Sequence, residues 1–401
     1  MLWGFRSGRF FSNRWIAAFV CCFGSLLGTW FGCVQYTKYV PNPEKDIDQW
    51  VANFARQRSF SYRYEAKLRF VRVDATGYCV IGEGENVSGT WYGQAGEQDF
   101  EYVGLGDVEY LRKGSDWERI SRGEESDIFT QIKRILITDK FEYEGSAEGY
   151  TYRFKANIPF LSPERRKEMV GLVTISPKNF LPDFIWAGLP DSSTYWTAQL
   201  FGYNSNKSIK SPVKEKREYL IKPNSESRVD YGSLEKRLDI LSVDYRLEKN
   251  DEGFLLRLPL HYAIEDAGAM LRPGGMVVYA VAEKQQEATK TGYLMGDVYK
   301  PLFLTKILLT ERDIREVKID FDGSSAPYIS LKLRQKSTLP RMVAIEVDSL
   351  LVATATLDTL RKSDRINLYP EMQYNEMEIL RAYILQPLGG LEVKSYGGEF
   401  R

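Results

Sequence analysis

Few residues of this chain have the type and spacing to do covalent or acid–base chemistry. There is one histidine, His261. One imidazole excludes the histidine pair of an HExxH zinc site and leaves a Ser-His-Asp triad resting on that residue alone. Its place beside Tyr262, where a strand leads into a helix, suits a structural histidine. Adjacent acids at Glu124-Glu125 and Glu265-Asp266 are the right type for proton transfer, yet such neighbours are ordinarily solvated charges. The four cysteines, Cys21, Cys22, Cys33 and Cys79, form neither CxxC nor a zinc spacing. No GxxxxGK[ST], GxSxG or strand–helix GxGxxG is present. The expectation is a chain with no catalytic residue, no metal site and no cofactor.

Composition limits the remaining classes. The 401 residues carry 54 Lys+Arg against 54 Asp+Glu, a formal net charge of zero. Nucleic-acid binding, which needs a basic surface to displace counterions, has no support here. Apolar residues make up 43% and charged residues 27%, enough to bury real cores. With 25 Tyr and 21 Phe the chain leans toward strands and apolar surfaces. The length suggests two or three domains.

Location is the stronger signal. Residues 1–14 hold Arg6, Arg9 and Arg14 and no acid. Residues 15–37, from Trp15 to Thr37, carry no charge and are mostly apolar. About 20 such residues span a bilayer core of about 30 Å as a helix. The positive-inside rule keeps the leader in the cytoplasm and exports everything after residue 40. The expected placement is a bacterial cytoplasmic membrane protein, single-pass, with the amino end inside and the bulk extracytoplasmic. Three fates are open to the segment: a retained anchor, lipidation at Cys33, or cleavage. Cys33 follows Gly32, but Trp30 and Phe31 are bulky for a lipoprotein signal. Gly24, Gly28 and Gly32 share one helical face, which fits a membrane homodimer as well as ordinary small-residue usage. Cys79 is then alone outside the membrane segment and cannot form an internal disulfide.

The first exported region, 43–213, opens with a helix over Ile47–Phe60. Period-two alternation follows: Phe60, Tyr62, Tyr64, Ala66, Leu68 and Phe70 against Ser61, Arg63, Glu65, Lys67 and Arg69. Further strands are expected at Val87–Tyr92, Asp99–Val103, Val108–Arg112, Trp117–Ile120, Tyr150–Ala156, Gly171–Ser176, Leu181–Ala187 and Tyr195–Tyr203. Short helices are expected at Ile128–Ile137 and Pro163–Met169. A long, curved meander with helices on one side is the natural build.

The segments RSFSYRYEAKL, GTWYGQ, DVEYLRKGSDWERI, VTISPKNFLPDFIWAG and TAQLFGYNSNKSIKSP resemble the LolA/LppX-like envelope lipoproteins. That resemblance implies an unclosed β half-barrel enclosing an apolar cavity for acyl chains, with no catalytic residue. Its inward aromatic positions would be cavity walls. Tyr62, Tyr64, Trp91, Tyr110, Trp117, Phe184, Trp186 and Phe201 are the candidates, with ordinary sheet core as their alternative. A ligand cavity needs walls left unfilled, and sequence does not report filling.

Residues 214–233 are polar, charged and rich in Pro, Gly and Ser, the pattern of a linker. A second region, 234–398, mixes helices at Leu234–Leu241, Ala263–Leu271 and Asn375–Leu385 with strands at Val243–Leu247, Gly253–Pro259, Met276–Val281, Ile319–Phe321, Tyr328–Leu333, Met342–Val347, Leu350–Ala355 and Arg365–Leu368. This reads as an α+β sandwich. Its order, through LRPGGMVVYAV, a helix start at Leu308–Ile314, Tyr328–Leu333, the hairpin Met342–Ala355 and Gly389–Val393, resembles the head of the first periplasmic domain of SecD. An acid before a two-residue turn at Asp348 is what a tight hairpin requires. There are departures. Ser349 replaces a glycine, Thr356 stands where proline is usual, and one acid-free membrane segment replaces the six of SecD. Proton-driven translocation is therefore excluded.

The expectation is α+β overall: a transmembrane helix, a LolA-like half-barrel, then a SecD-head-like sandwich. The implied role is a non-enzymatic, membrane-anchored envelope protein that binds a lipid, an acylated protein or an unfolded exported chain. The alternative is a protein–protein module, a sensor or accessory of an envelope or export complex.

Overall fold

Alternation over Ser59–Leu68 does produce a strand, and that strand is the centre of an 11-stranded sheet. The computed structural model describes residues 41–396, apart from 69, 121–126, 137–139, 146–148, 157–168, 225–228, 283, 296, 324 and 358–362. The segment Trp15–Thr37, with Cys33, Gly24, Gly28 and Gly32, lies outside the described residues. So do Glu124-Glu125 and most of the helix expected at Pro163–Met169. No helix among the described residues is long and apolar enough to cross a membrane.

Helix α1 (Pro43–Ala55) leads into β1 (Ser59–Leu68), β2 (Val71–Val80), β3 (Gly84–Gly93), β4 (Gly96–Leu105), β5 (Val108–Lys113) and β6 (Asp116–Ile120). These form an antiparallel meander ending at one sheet edge. Helix α2 (Ile128–Leu136) follows, then β7 (Phe141–Gly145) at the opposite edge and β8 (Tyr150–Lys155), β9 (Val170–Ile175), β10 (Pro182–Gly188) and β11 (Thr194–Phe201). Strand β11 closes the circuit by pairing with β1, Tyr62 opposite Leu200 and Tyr64 opposite Ala198.

Contour length explains why α2 crosses one face. Ten inter-strand spacings of about 4.8 Å put the two edges roughly 48 Å apart on a flat sheet. The connection offers about 13 Å of helix plus about 36–40 Å of extended chain, so the edges are joined comfortably only if the sheet curls. We call the side carrying α1 and α2 the inner face.

Two expectations are corrected in this region. The opening helix stops at Ala55 rather than Phe60, because Phe60 belongs to β1 and is buried with the sheet. Strands β2 and β7 were not anticipated. In β2, Val71, Val73, Ala75 and Cys79 do alternate with Arg72, Asp74, Thr76 and Tyr78; Gly77 is the one gap in the apolar set, and it is small because Tyr62 stands over it at 2.8 Å from where a Cβ would be.

Residues 214–233, expected as a linker, instead hold β12 (Lys216–Pro223) and the start of α3 (Tyr231–Ile240). β12 lies inside a four-stranded sheet with β13 (Arg246–Asn250), β14 (Gly253–Pro259) and β23 (Leu391–Ser395), in the order β13-β14-β12-β23. Its inward residues Tyr219 and Ile221 are buried with Leu234 and Leu238 of α3 and with Ala267 and Met270 of α4 (Ile264–Met270). Lys216, Glu218 and Lys222 occupy the alternate positions, and with Arg217 they give the segment its linker-like composition.

The rest is more β-rich than the expected α+β sandwich. β15 (Met276–Val281), β16 (Lys290–Leu294), β17 (Asp297–Thr310), β20 (Met342–Val347) and β21 (Leu350–Thr356) close into a small barrel. β18 (Ile314–Phe321), β19 (Pro327–Ser337) and β22 (Ser363–Leu368) form a three-stranded sheet. Helix α5 (Tyr374–Leu385) contributes Met377, Leu380, Tyr383 and Ile384 to the core shared by barrel and sheet. The helix start expected at Leu308–Ile314 is the end of β17 followed by a single 3-10 turn, Glu311–Asp313, where Asp313 accepts the Thr310 amide at 2.9 Å. The hairpin at Asp348 does form, with φ of 50° and 66° at Asp348 and Ser349, the left-handed pair that a type I′ turn requires. The described chain is thus mostly β, with Pro43–Arg401 clustering as one unit.

Candidate functional site

Register assigns every strand residue to a face. Starting from Tyr62, the pairings run Tyr62–Gly77–Val87–Tyr102 across β1 to β4 and Tyr62–Leu200 to β11. The inner face therefore holds Tyr62, Tyr64 and Ala66 of β1 and Trp196, Ala198 and Leu200 of β11. It also holds Ile185 and Ala187 of β10, Val173 of β9 and Tyr152 and Phe154 of β8.

Most of this face is filled by the chain itself. Ile47, Trp50 and Phe54 of α1 and Ile128, Phe129, Ile132 and Ile135 of α2 are buried in one cluster with those strand residues. Phe54 lies 5.2 Å from Phe60 and 5.3 Å from Phe129, tying both helices to the sheet. Tyr152 donates to Asp46 Oδ2 at 2.9 Å, holding the start of α1 against β8.

Beneath α2 sits Glu85, 3% exposed. Its Oε2 accepts from Tyr62 Oη at 2.8 Å and from the amide of Ile128, the first residue of α2, at 3.1 Å. Asp127 caps the same helix by accepting the Thr130 amide at 2.7 Å. Burial pushes the Glu85 carboxyl up to about 7; the two hydrogen bonds pull against this, and Asp127 and Glu109 push with it. Burial also raises the Tyr62 phenol. No alternation rule marked Glu85, because a carboxylate on a core face breaks the pattern; its position two residues before Val87 was the available signal.

The eight expected cavity residues divide between the faces. Tyr62 is buried under the helices, Tyr64 is half-buried beside Trp196 with ring centroids 5.9 Å apart, and Trp91 is 48% exposed. These three face inward. Tyr110 and Trp117 face outward, packed with Val80, Val103, Leu105, Ile209 and Leu260. Phe184, Trp186 and Phe201 also face outward, with Phe184 and Phe201 exposed. The inner positions beside them carry Ile185, Ala187 and Ala198. Small strand residues sit where the helices already supply Trp50 and Phe54, so large aromatics were the wrong guide to the wall.

One part of the inner face stays open. Over β3 and β4, Val87, Phe100 and Tyr102 are half-buried and Trp91 is exposed, with Trp91 and Phe100 in edge contact at 6.0 Å.

The residues of chemical type are placed as follows. His261 is half-buried against Gly106, where a Cβ would meet its carbonyl oxygen at 2.7 Å. Burial lowers its imidazole to about 4. Asp266 accepts the Ala263 amide at 2.8 Å and so caps α4. Cys79 is buried, and burial raises its thiol. Among the described residues no group of three or more His, Cys, Asp or Glu is placed to hold a metal ion.

No family model matches the sequence, and no curated protein matches it. Solved structures similar to this chain include both families that the sequence resembles. SecDF in its super-membrane-facing form is 14% identical, covering 45% of this chain and 30% of that one, with a TM-score of 0.34. This chain therefore spans about a third of the SecDF chain. LprF from Mycobacterium bovis is 12% identical over 43% of this chain and 99% of that one, with a TM-score of 0.33. The Pseudomonas aeruginosa MucA/MucB complex is 9% identical over 88% of this chain and 100% of that one, with a TM-score of 0.23.

Proposed function

We propose that this chain is a membrane-anchored, non-enzymatic envelope protein whose half-barrel offers the open part of its inner face to an apolar segment of a partner protein. The observation that carries this reading is the division of that face: filled by α1 and α2 over β1 and β8–β11, with Val87 packed at the margin of that core, and open at Trp91, Phe100 and Tyr102. An acyl chain gains about 0.8 kcal/mol per CH₂ when its surface leaves water, and a single open wall covers one side of it. A protein segment brings its own second wall, so an open apolar surface suits it better. The anchor is assigned to Trp15–Thr37 for its lack of charge. The absence of catalysis rests on His261 being wedged and neutral and on Asp266 serving as a helix cap.

A photo-crosslinking residue at position 91 of the membrane-bound full chain tests this. The expected result is one discrete protein adduct, lost when the crosslinker is moved to position 197 on the outer face. Stoichiometric lipid in solvent extracts of the purified chain, with no protein adduct, would replace this reading with the lipid one.

A further inference from the structure

The outer face of the half-barrel carries an open trough of about 710 Å³ across β1 to β5. Its floor is a single cross-strand row. Arg63 pairs with Thr76, Thr76 with Ser88 and Ser88 with Glu101. Arg112 follows on β5, its Nη1 2.6 Å from Glu101 Oε1. The row crosses five strands, about 19 Å at about 4.8 Å per step. A second row alongside it, Asp74, Thr90 and Asp99, is set by the same register, with Thr90 donating to Asp99 at 2.8 Å. Arg63 makes no ion pair or hydrogen bond among the described residues.

The chemistry of these rows selects a ligand class. Guanidinium groups only donate, carboxylates only accept, and the hydroxyls of Thr76 and Ser88 do both. An anion entering the trough meets the carboxylates of Asp74, Asp99 and Glu101; a cation meets the guanidiniums of Arg63 and Arg112 and, at the rim, that of Arg72, whose Nη2 lies 3.0 Å from Asp74 Oδ2. A ligand whose every group both donates and accepts satisfies both rows without charge conflict, and a chain of hydroxyls meets that condition. The rows sit on the sheet backbone, so they are held in place before any ligand arrives. We propose that this trough binds a neutral oligosaccharide.

The test is calorimetric titration of the full chain with chitotetraose, maltotetraose and cellotetraose at millimolar concentration. At least one is expected to bind saturably. Arg63→Ala is expected to weaken it roughly tenfold, the loss of one hydrogen bond to a charged group. Thr76→Val with Ser88→Ala, which keeps both guanidiniums, is expected to weaken it as well. These side chains lie on the solvent side of the sheet, and an unchanged melting temperature confirms that each variant folds. No saturable binding of any of the three, binding indifferent to both variants, or preferential binding of inorganic phosphate lost in Arg63→Ala would each overturn the proposal.

Discussion

Arg237 grips the carbonyl oxygen of Gln386 with two donors, Nε at 2.7 Å and Nη2 alongside it. Gln386 caps the end of α5, and the remaining donors of Arg237 reach the carbonyls of Met270, Arg272 and Pro273 at the end of α4. A fully buried cation thus neutralises the negative ends of two helices, with Asp348 near enough to favour its charge. Burial lowers its guanidinium only to about 10, so it remains charged at neutral pH.

Arg237→Met should therefore destabilise the chain by about 3–5 kcal/mol, because four buried carbonyls lose their donors together. Arg237→Lys should recover little, since one ammonium does not reach both helix ends. Urea unfolding midpoints measure both; a midpoint within error of wild type in the Met variant would contradict the account.

Buried Glu85 and half-buried His261 set opposing pH slopes. Glu85 titrates near 7 folded against 4.5 as the ordinary value, so the native state holds the extra proton and stability falls as pH rises through that window. His261 titrates near 4 folded against 6.5, so the unfolded state holds the proton and stability falls as pH drops from 6.5 toward 4. Each contributes at most about 1.4 kcal/mol per pH unit, and between about 4.5 and 6.5 they oppose. Relative to wild type, Glu85→Gln should lose stability on acidification in that range and His261→Gln should gain it. Identical slopes in all three chains would refute the assignment.

Leu260 follows β14 yet is buried on the outer face of the half-barrel with Val80, Val103 and Tyr110. Leu260→Ala should cost about 2–4 kcal/mol. It should also broaden or split the thermal transition, because Leu260 packs the second region into the core of the first. Differential scanning calorimetry distinguishes one transition from two.

Tyr62 and Trp91 share a face but not a role. Tyr62→Phe leaves Glu85 with one donor fewer and should cost about 1–3 kcal/mol. Trp91→Ala, at an exposed position, should stay within about 0.5 kcal/mol of wild type while lowering the yield of adduct from a crosslinker placed at position 100. A large stability loss on Trp91→Ala would mean that this side chain is core.

Much of this fold was legible in sequence where apolar residues run continuously or alternate. Gly253–Pro259, Met276–Val281 and Met342–Val347 occupy the expected spans, and the hairpin turn forms with Asp348 as the first of its two central residues. Legibility failed where polar residues alternate with a few apolar ones. β12 looked like a linker because Lys216, Glu218 and Lys222 surround Tyr219 and Ile221. It failed again in the choice of face: Phe184 and Trp186 alternate with Ile185 and Ala187, and only the helices opposite decide which pair is buried. Glu85 was invisible because its donors, Tyr62 and the amide of Ile128, come from 23 and 43 residues away.

The crossing of α2 from one sheet edge to the other makes the half-barrel behave like a strung bow. Phe129 and Ile132 are seated in the interior while the chain on either side of the helix runs to β6 and β7. A guest that unseated those side chains would slacken or tighten both rims at once. Occupancy of the interior would then be felt as a change in curvature along the whole arc, out to strands the guest never touches.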